Sequence, residues 1–270
     1  MTLRGCILGN SHLAALRFAA ARPGAIPTGF HLDFIGSGQA GLANTRVDGS
    51  KLRPTTPETA ADFERFGGVC DIDLAGYDFF VLVGLGLNIF VLDMLYRRFR
   101  CNGMHQWARP DPDRPLLSRA LLSAVLNAQM RQSLSLTLAA RIRSASSAPI
   151  YLQCQPRPGL AMLDMKGKFP AFRRMRRQGD AQRLADLFEE TARALPETYV
   201  PQPPDTITDA LFTADAFCQG SVRLTPDITA PVAHPTADFL HANADYGYLA
   251  LHRLCSLARA DPRLAQRVST

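Results

Sequence analysis

Short runs rich in apolar residues alternate with helical patterns along the 270-residue chain. The apolar runs lie at residues 3–8, 30–35, 79–84 and 150–154 and are typical of strands in a parallel sheet that is buried on both faces. Helical patterns lie between and after these runs. The alternation predicts an α/β protein in which crossover helices join parallel strands.

Breaking residues set the limits of the predicted helices. The first helix, at 12–21, ends before Pro23-Gly24, because proline cannot continue a helix. Residues 116–143 contain no Pro or Gly and predict one long amphipathic helix. A further helix follows Asp180 and ends at Pro196, and the last helix begins near Asn243.

The remaining long segments contain many turn-forming residues. Residues 44–71 and 199–235 are predicted to be irregular insertions near the carboxyl edge of the sheet. No segment is typical of a linker, so residues 1–270 are expected to form a single domain. The apolar run at 79–92 is shorter than the ~20 residues that a membrane helix needs and contains Asn88, so no membrane span is expected.

The charge and the cysteine spacing bear on which partners and metal or redox sites the chain can have. The chain has 30 Lys and Arg against 24 Asp and Glu, a net charge of +6, which suits an anionic ligand but does not imply nucleic acid. The six cysteines include no Cys-x-x-Cys pair, which argues against a zinc ribbon or a redox pair. Scattered thiols and an opening run without a cleavage site favour a cytoplasmic protein without a signal peptide.

The first candidate for catalysis is Ser11, in the tetrapeptide Gly9-Asn10-Ser11-His12. This tetrapeptide lies where the first strand meets its helix, so the serine is held at the carboxyl edge of the sheet with its N–H unpaired. Such a serine can be a nucleophile and also an oxyanion donor. The alternative is that Asn10 and Ser11 only cap the helix. His12 is expected to be structural rather than the catalytic base.

The second candidate is the pair Asp238 and His241, near the other end of the chain. A spacing of three residues lets the carboxylate accept the imidazole N–H and fix the tautomer of the ring. The alternative is an ordinary surface pair. A catalytic serine needs both a base and an orienting acid, so the two candidates strengthen each other.

Four sequence blocks, in this order, resemble those of the SGNH or GDSL hydrolases, which are serine esterases and lipases. The blocks are Gly9-Asn10-Ser11, Ser37-Gly38, Gly86-Leu87-Asn88 and Asp238-Phe239-Leu240-His241. The resemblance implies a flavodoxin-like fold, a three-layer α/β/α sandwich with a parallel sheet. The chain departs from the family at Asn10 and Ile89, where the family usually has Asp.

The resemblance also implies a function and a role for each matched residue. Ser11 would be the nucleophile, His241 the base and Asp238 the orienting acid, and the oxyanion donors would be Ser11, Gly38 and Asn88. The expected activity is hydrolysis of short-chain O-acyl esters of a small molecule or glycan, without metal or cofactor. Two alternatives stay open, an O-acyltransferase that uses the same triad and a catalytically degenerate binding protein on this fold.

Two other motifs have competing interpretations. Residues 36–41 spell G-x-G-x-x-G, but the turn-forming residues that follow argue against the helix that a dinucleotide site needs. The basic run at 166–177 is either a solvated helix face or a patch that attracts an anionic substrate or acyl carrier.

Overall fold

The computed structural model describes residues 2–38, 41–105, 111–165, 167 and 169–268. Five parallel strands form the central sheet, and they are β1 (Leu3–Gly9), β2 (Phe30–Gly36), β6 (Phe79–Val83), β9 (Ile150–Gln153) and β10 (Thr198–Val200). Their order across the sheet is β10-β9-β6-β1-β2. In sequence order this is 2-1-3-4-5, one of the two common orders of doubly wound sheets. The predicted parallel α/β class is confirmed.

Helices cover both faces of this sheet. They are α1 (Leu13–Ala20), α2 (Pro57–Gly67), α3 (Val91–Arg98), α4 (Arg119–Arg131), α5 (Leu134–Arg143), α6 (Pro170–Gln178), α7 (Ala181–Arg193), α8 (Ala244–Ala260) and α9 (Pro262–Val268). One apolar core joins α1, α8 and α9 to one face of the sheet, and a larger core joins α2 to α7 to the other. None of the helices in the described ranges has the length and apolar character of a membrane span.

Side chains of the central strands alternate between the two cores. Cys6 and Leu8 of β1 belong to the larger core, whereas Ile7 between them belongs to the smaller one. A strand buried on both faces requires this pattern, because successive side chains point to opposite sides. All six cysteines are free, and Cys70 alone is exposed.

Residues 44–71 are more regular than their sequence predicts. They contain β3 (Thr45–Asp48), β4 (Lys51–Pro54) and the helix α2, and β5 (Ile72–Asp73) adds a third antiparallel strand to β4. The turn residues that suggested a loop mark element boundaries instead. Gly49 lies in the β3–β4 hairpin turn, and Thr56 caps α2 through the N–H of Thr59.

Residues 199–235 contain only short elements, as expected for an irregular excursion. After β10 they form the two-residue strands β11 (Ile207–Thr208) and β12 (Phe212–Thr213) and two 3-10 turns. Residues 221–224 form no strand, only one antiparallel bridge, between Val222 and Ala233.

The prediction of one continuous helix at 116–143 is wrong. Residues 116–117 belong to the short strand pair β7 (Arg100–Cys101) and β8 (Leu116–Leu117), and the remainder is split into α4 and α5. Ser133 causes the break, because its hydroxyl accepts the N–H of Leu136 and so begins a new helix. A serine can cap a helix where no proline or glycine marks the break.

Candidate active site

The site lies at the carboxyl edge of the sheet, where the direction of strand addition reverses. Strand β1 pairs with β2 on one side and with β6 on the other. Chain segments that leave neighbouring strands at such a switch point diverge to opposite faces and leave a crevice between them. Ser11 follows β1 by two residues and therefore stands in this crevice.

A tight turn presents Ser11 at the start of α1. The N–H of Leu13 donates to the carbonyl of Asn10 at 2.9 Å, and the N–H of His12 donates to Asn10 Oδ1 at 3.2 Å. Within the described residues the N–H of Ser11 donates to no acceptor. Ser11 therefore combines a half-buried hydroxyl with a free backbone donor at a helix start, where the helix dipole favours negative charge.

Three predicted site residues from opposite ends of the chain come together here. His241 Nε2 lies 3.0 Å from Ser11 Oγ, although the two residues are 230 positions apart. His241 Nδ1 lies 3.0 Å from Asp238 Oδ2 and 3.2 Å from Oδ1. The order serine, imidazole and carboxylate is the arrangement that activates a serine nucleophile.

The carboxylate of Asp238 is fixed by its own loop. Its Oδ1 accepts the N–H of Leu240 at 2.8 Å and that of His241 at 2.9 Å. Burial alone would raise the pKa of Asp238, but the hydrogen bonds from the backbone and ring of His241 outweigh burial and lower the pKa. Asp238 is therefore ionised at neutral pH and can hold His241 Nδ1 protonated, which leaves Nε2 free to accept the serine proton.

The loop of Asp238 and His241 is anchored at both ends. Before His241, the N–H of Gly159 donates to the carbonyl of Phe239 at 2.7 Å. After it, Asn243 caps α8 by accepting the N–H groups of Asp245 and Tyr246. The side chain of Asn243 also donates to the carbonyl groups of Ala216 and Gln219. These contacts connect the position of the imidazole to the start of a helix.

His241 lies between two other imidazole rings. Its ring stacks on His234 with centroids 4.0 Å apart and planes 9° apart, and on His12 with centroids 4.9 Å apart. Sequence analysis did not assign His234 to the site, and its only signal was its position four residues before Asp238. His234 Nδ1 lies 3.5 Å from Asp238 Oδ2, so both rings face the same carboxylate.

His12 supports the site without acting as a base. It is buried, and burial, together with the charge of His241, lowers its pKa to about 3. The ring therefore stays neutral across the physiological range and forms a flat surface against His241. This position agrees with the structural role that the sequence suggests.

Two of the three predicted oxyanion donors have other partners. The N–H of Gly38 donates to Asp62 Oδ2 at 2.9 Å, and the same oxygen accepts the hydroxyl of Ser37 at 2.7 Å. The side-chain oxygen of Asn88 accepts the N–H of Phe90, and its amide donates to the carbonyl of Gly86 at 3.3 Å. Ser11 is thus the predicted donor whose N–H has no partner in the part of the chain that the structure describes.

The position of Asn88 follows from where the strand ends. β6 ends at Val83, one residue before the predicted end at Gly84, so Gly84 to Asn88 belong to the loop that follows the strand. Asn88 lines a cavity of about 360 Å³ together with Gln129 and Met130 of α4.

The loop after β6 itself lies against the turn that carries Ser11. A β-carbon on Gly84 would stand 2.9 Å from Asn10 Oδ1 and 3.2 Å from His12 Cδ2. Gly84, Leu85 and Gly86 all have positive φ angles, of 73°, 49° and 83°. Among the described residues, the N–H groups of Leu85 and Gly86 donate to no acceptor. This loop is a source of donors that the sequence did not indicate.

His234, Asp238 and His241 also place three potential metal-ligand atoms within 4.8 Å of one another. A metal ion lies close to the plane of each imidazole that binds it. Rings stacked face to face at 4.0 Å cannot both meet this condition for one ion without moving. Their present arrangement suits hydrogen bonding to Asp238 better than shared coordination.

The glycine motif is not followed by the α-helix that a dinucleotide site needs, and the basic run pairs in part within the protein. Residues 39–40 of the glycine motif lie outside the described residues, and Gly41 begins a 3-10 turn followed by β3 instead of an α-helix. In the basic run, Lys166 and Lys168 also lie outside the described residues. Two arginines of α6 have protein partners, since Arg173 donates to the carbonyl of Leu163 and Arg176 pairs with Asp209 at 2.8 Å.

Comparison with protein families, curated proteins and solved structures gives no significant match for this chain. The geometry of the site therefore carries the functional argument.

Proposed function

We propose that this protein is a serine hydrolase that cleaves carboxylic esters through an acyl-serine intermediate. The observation that carries the proposal is the continuous chain from Ser11 Oγ to His241 Nε2 and from His241 Nδ1 to Asp238. The side chain of His241 is 16% exposed and that of Asp238 is 15% exposed. Ser11 is partly exposed to solvent, whereas most of the surface of His241 and Asp238 is shielded from water.

The proposed reaction has two halves, acylation and deacylation, and each of the three side chains acts in both. Ser11 Oγ attacks the ester carbonyl carbon while His241 Nε2 takes the hydroxyl proton, and the carbonyl electron pair moves to the oxygen. The intermediate collapses, the alcohol leaves, and it takes the proton from Nε2. Water then attacks the acyl-serine carbonyl while Nε2 takes one of its protons. The bond to Ser11 Oγ breaks, Nε2 returns the proton to Oγ, and the acid is released. Asp238 keeps the imidazole in one tautomer and stabilises its charged form.

The oxyanion that forms in both halves needs backbone or amide donors. The free N–H of Ser11 is suited to this role, and each such donor is worth about 10²–10³-fold in rate. The N–H groups of Leu85 and Gly86 are the candidates for additional donors, because their loop lies against Asn10. Gly38 would have to leave Asp62 before it could donate to a substrate.

The fold is compatible with the SGNH hydrolase resemblance. The sheet order 2-1-3-4-5 and helices on both faces suit a three-layer flavodoxin-like sandwich. The nucleophile follows β1, the acid and base precede the C-terminal helix α8, and these places match the order of the blocks. The positions of Gly38 and Asn88 are where this chain differs from that pattern.

Ester turnover by matched variants tests the proposal. Wild-type protein is assayed with 4-nitrophenyl acetate, butyrate and octanoate beside Ser11→Ala and the control Ser256→Ala. Ser256 is exposed on α8, and among the described residues its hydroxyl bonds only to the carbonyl of His252 in its own helix. We expect Ser11→Ala to lose turnover and Ser256→Ala to keep it. Equal turnover by wild type and Ser11→Ala would refute the role of Ser11.

The fate of the acyl group separates hydrolysis from transfer. Product analysis in the presence of glycerol or a sugar as acceptor measures how the acyl group is divided between water and alcohol. The proposed hydrolase releases mainly free acid, whereas an O-acyltransferase releases mainly the new ester.

A further inference from the structure

A short two-stranded ribbon, residues 221–234, lies beside the triad. Val222 and Ala233 form an antiparallel bridge. On one side of the bridge the N–H of His234 donates to the carbonyl of Ser221 at 2.9 Å. On the other side the N–H of Arg223 donates to the carbonyl of Val232 at 2.8 Å. The 221–234 ribbon is therefore paired in register over three successive rungs.

This register decides which side chains share a face. Side chains alternate along each strand of the ribbon, so Arg223 and Val232 stand on the same face as His234, two rungs away from it. Diagonal neighbours on one face of such a pair are about 7–8 Å apart. Because His234 stacks flat on His241, this face of the ribbon borders the imidazole of the triad.

The ribbon is held in place by contacts with the body of the protein. Arg17 of α1 donates to the carbonyl groups of Thr225 at 3.0 Å and Pro226 at 2.9 Å. Leu224 packs over Gly36 at the end of β2, where a β-carbon would stand 2.6 Å from Leu224 Cδ2. Arg223 is thus carried on a fixed element beside the crevice.

The charge of Arg223 is not neutralised within the described part of the chain. Arg223 is exposed, and its guanidinium forms no ion pair or hydrogen bond there. Burial is the largest cause that lowers the pKa of His234, and the nearby positive charge of Arg223 lowers this pKa further. Asp238, the carboxylate of the triad, is hydrogen-bonded to His241. Beside Arg223, Val232 is 48% exposed and offers an apolar surface.

The proton transfer from His241 identifies which part of the substrate lies near this face of the ribbon. His241 Nε2 returns its proton to the leaving alcohol, so the alcohol portion of the ester leaves on the imidazole side of Ser11. The face of the ribbon that borders His241 therefore faces the alcohol portion rather than the acyl portion.

We propose that Arg223 and Val232 form a specificity edge for the alcohol portion, and that the preferred substrate is an ester whose alcohol portion carries a carboxylate or another anionic group beside an apolar surface. This inference rests on the proposed esterase function. A pair of opposite charges at a partly exposed site changes kcat/KM by about tenfold, and added salt reduces the effect.

A matched pair of acetate esters tests this edge. The anionic ester is 4-acetoxybenzoate and the neutral one is 4-acetoxybenzamide, which share the acyl group and the ring. We expect Arg223→Gln to lower kcat/KM about tenfold for the anionic ester only, and Arg223→Glu to lower it further. The control Arg46→Glu makes the same change in net charge as Arg223→Glu, at an exposed position on β3. An equal effect on both esters, or none, overturns the proposal.

Binding to an inactive variant separates this inference from the esterase proposal. Equilibrium binding of both esters is measured calorimetrically on Ser11→Ala, with and without Arg223→Gln. A preference for the anionic ester that disappears with Arg223→Gln supports the specificity edge. This holds even if the wild type hydrolyses neither ester, because failure to hydrolyse them would refute only the esterase proposal. Binding that is absent or independent of Arg223 overturns the edge while leaving any Ser11-dependent hydrolysis intact.

Discussion

Gly247 of α8 lies so close to Ala15 of α1 that a β-carbon at position 247 would overlap the carbonyl group of Ala15. The two helices begin directly after the residues of the triad, since Ser11 precedes α1 and His241 precedes α8. Close packing of the helices therefore brings the hydroxyl and the imidazole together across the crevice.

The first prediction concerns this contact. We expect Gly247→Ala to push α8 away from α1 and to lower the free energy of unfolding by about 1–3 kcal/mol. Turnover should fall by about 10²-fold, because a displacement near 1 Å breaks the alignment of His241 with Ser11. Urea unfolding and ester turnover measure the two effects. Gly76→Ala is the control, since the nearest atom to its β-carbon would be 3.8 Å away. A folded Gly247→Ala protein with unchanged kcat would contradict this account.

The second prediction concerns stability at low pH. The folded protein binds a proton at His12 only below about pH 3, whereas the unfolded chain does so near its ordinary value of about 6.5. Between these values the unfolded state holds more protons, so the free energy of unfolding falls as the pH falls. The contribution of His12 is about 1.4 kcal/mol per pH unit between roughly pH 6 and 4.

Unfolding by urea at pH 7, 6, 5 and 4 tests this contribution against His12→Leu. The variant removes the titrating group and should have a shallower pH dependence than the wild type, while all other groups are shared. Identical slopes for the two proteins would mean that His12 is protonated in the folded state.

The third prediction concerns the ring of His234. Loss of an aromatic contact is worth about 0.5–1.5 kcal/mol, so His234→Ala should lower kcat by about 2- to 12-fold and leave KM nearly unchanged. His234→Phe keeps a flat ring against His241 and should restore most of the lost kcat. If phenylalanine restores nothing, the hydrogen-bonding group of His234 matters more than its stacking.

The fourth prediction concerns metal ions. His241 is hydrogen-bonded to Asp238 and stacked on His234, an arrangement that does not call for a bound ion, so dialysis against EDTA should leave ester turnover unchanged. Added Zn²⁺ should only inhibit, because it competes for Asp238 and His241. Loss of activity with EDTA and recovery with one divalent metal would instead indicate that these three residues form a metal site.

The parts of the site that the sequence predicts are those encoded within a few residues. Ser11 follows a strand at a turn, and Asp238 lies three residues before His241 in one loop, so both local arrangements are visible in the sequence. Their convergence depends on packing between α1 and α8. Gly247 allows this packing, and its need for a glycine follows from the distant contact with Ala15.

The parts that the sequence could not give depend on side-chain contacts within loops and on distant contacts. The side chain of Asn88 contacts Gly86 and Phe90 of its own loop, which no pattern in the block Gly86-Leu87-Asn88 indicates. The N–H of Gly38 donates to Asp62, which lies 24 positions farther along the chain. No pattern near Gly38 indicates this contact. His234 joins the site only because the 221–234 ribbon folds back beside His241.

Covalent labelling by a fluorophosphonate probe is the most direct test of the central claim that Ser11 is an activated nucleophile. After reaction, digestion and mass spectrometry, the account predicts one adduct, on Ser11. Labelling should be lost in His241→Ala, which removes the base but leaves the hydroxyl. Folded wild-type protein that stays unlabelled, or that is labelled at another residue, would contradict the account.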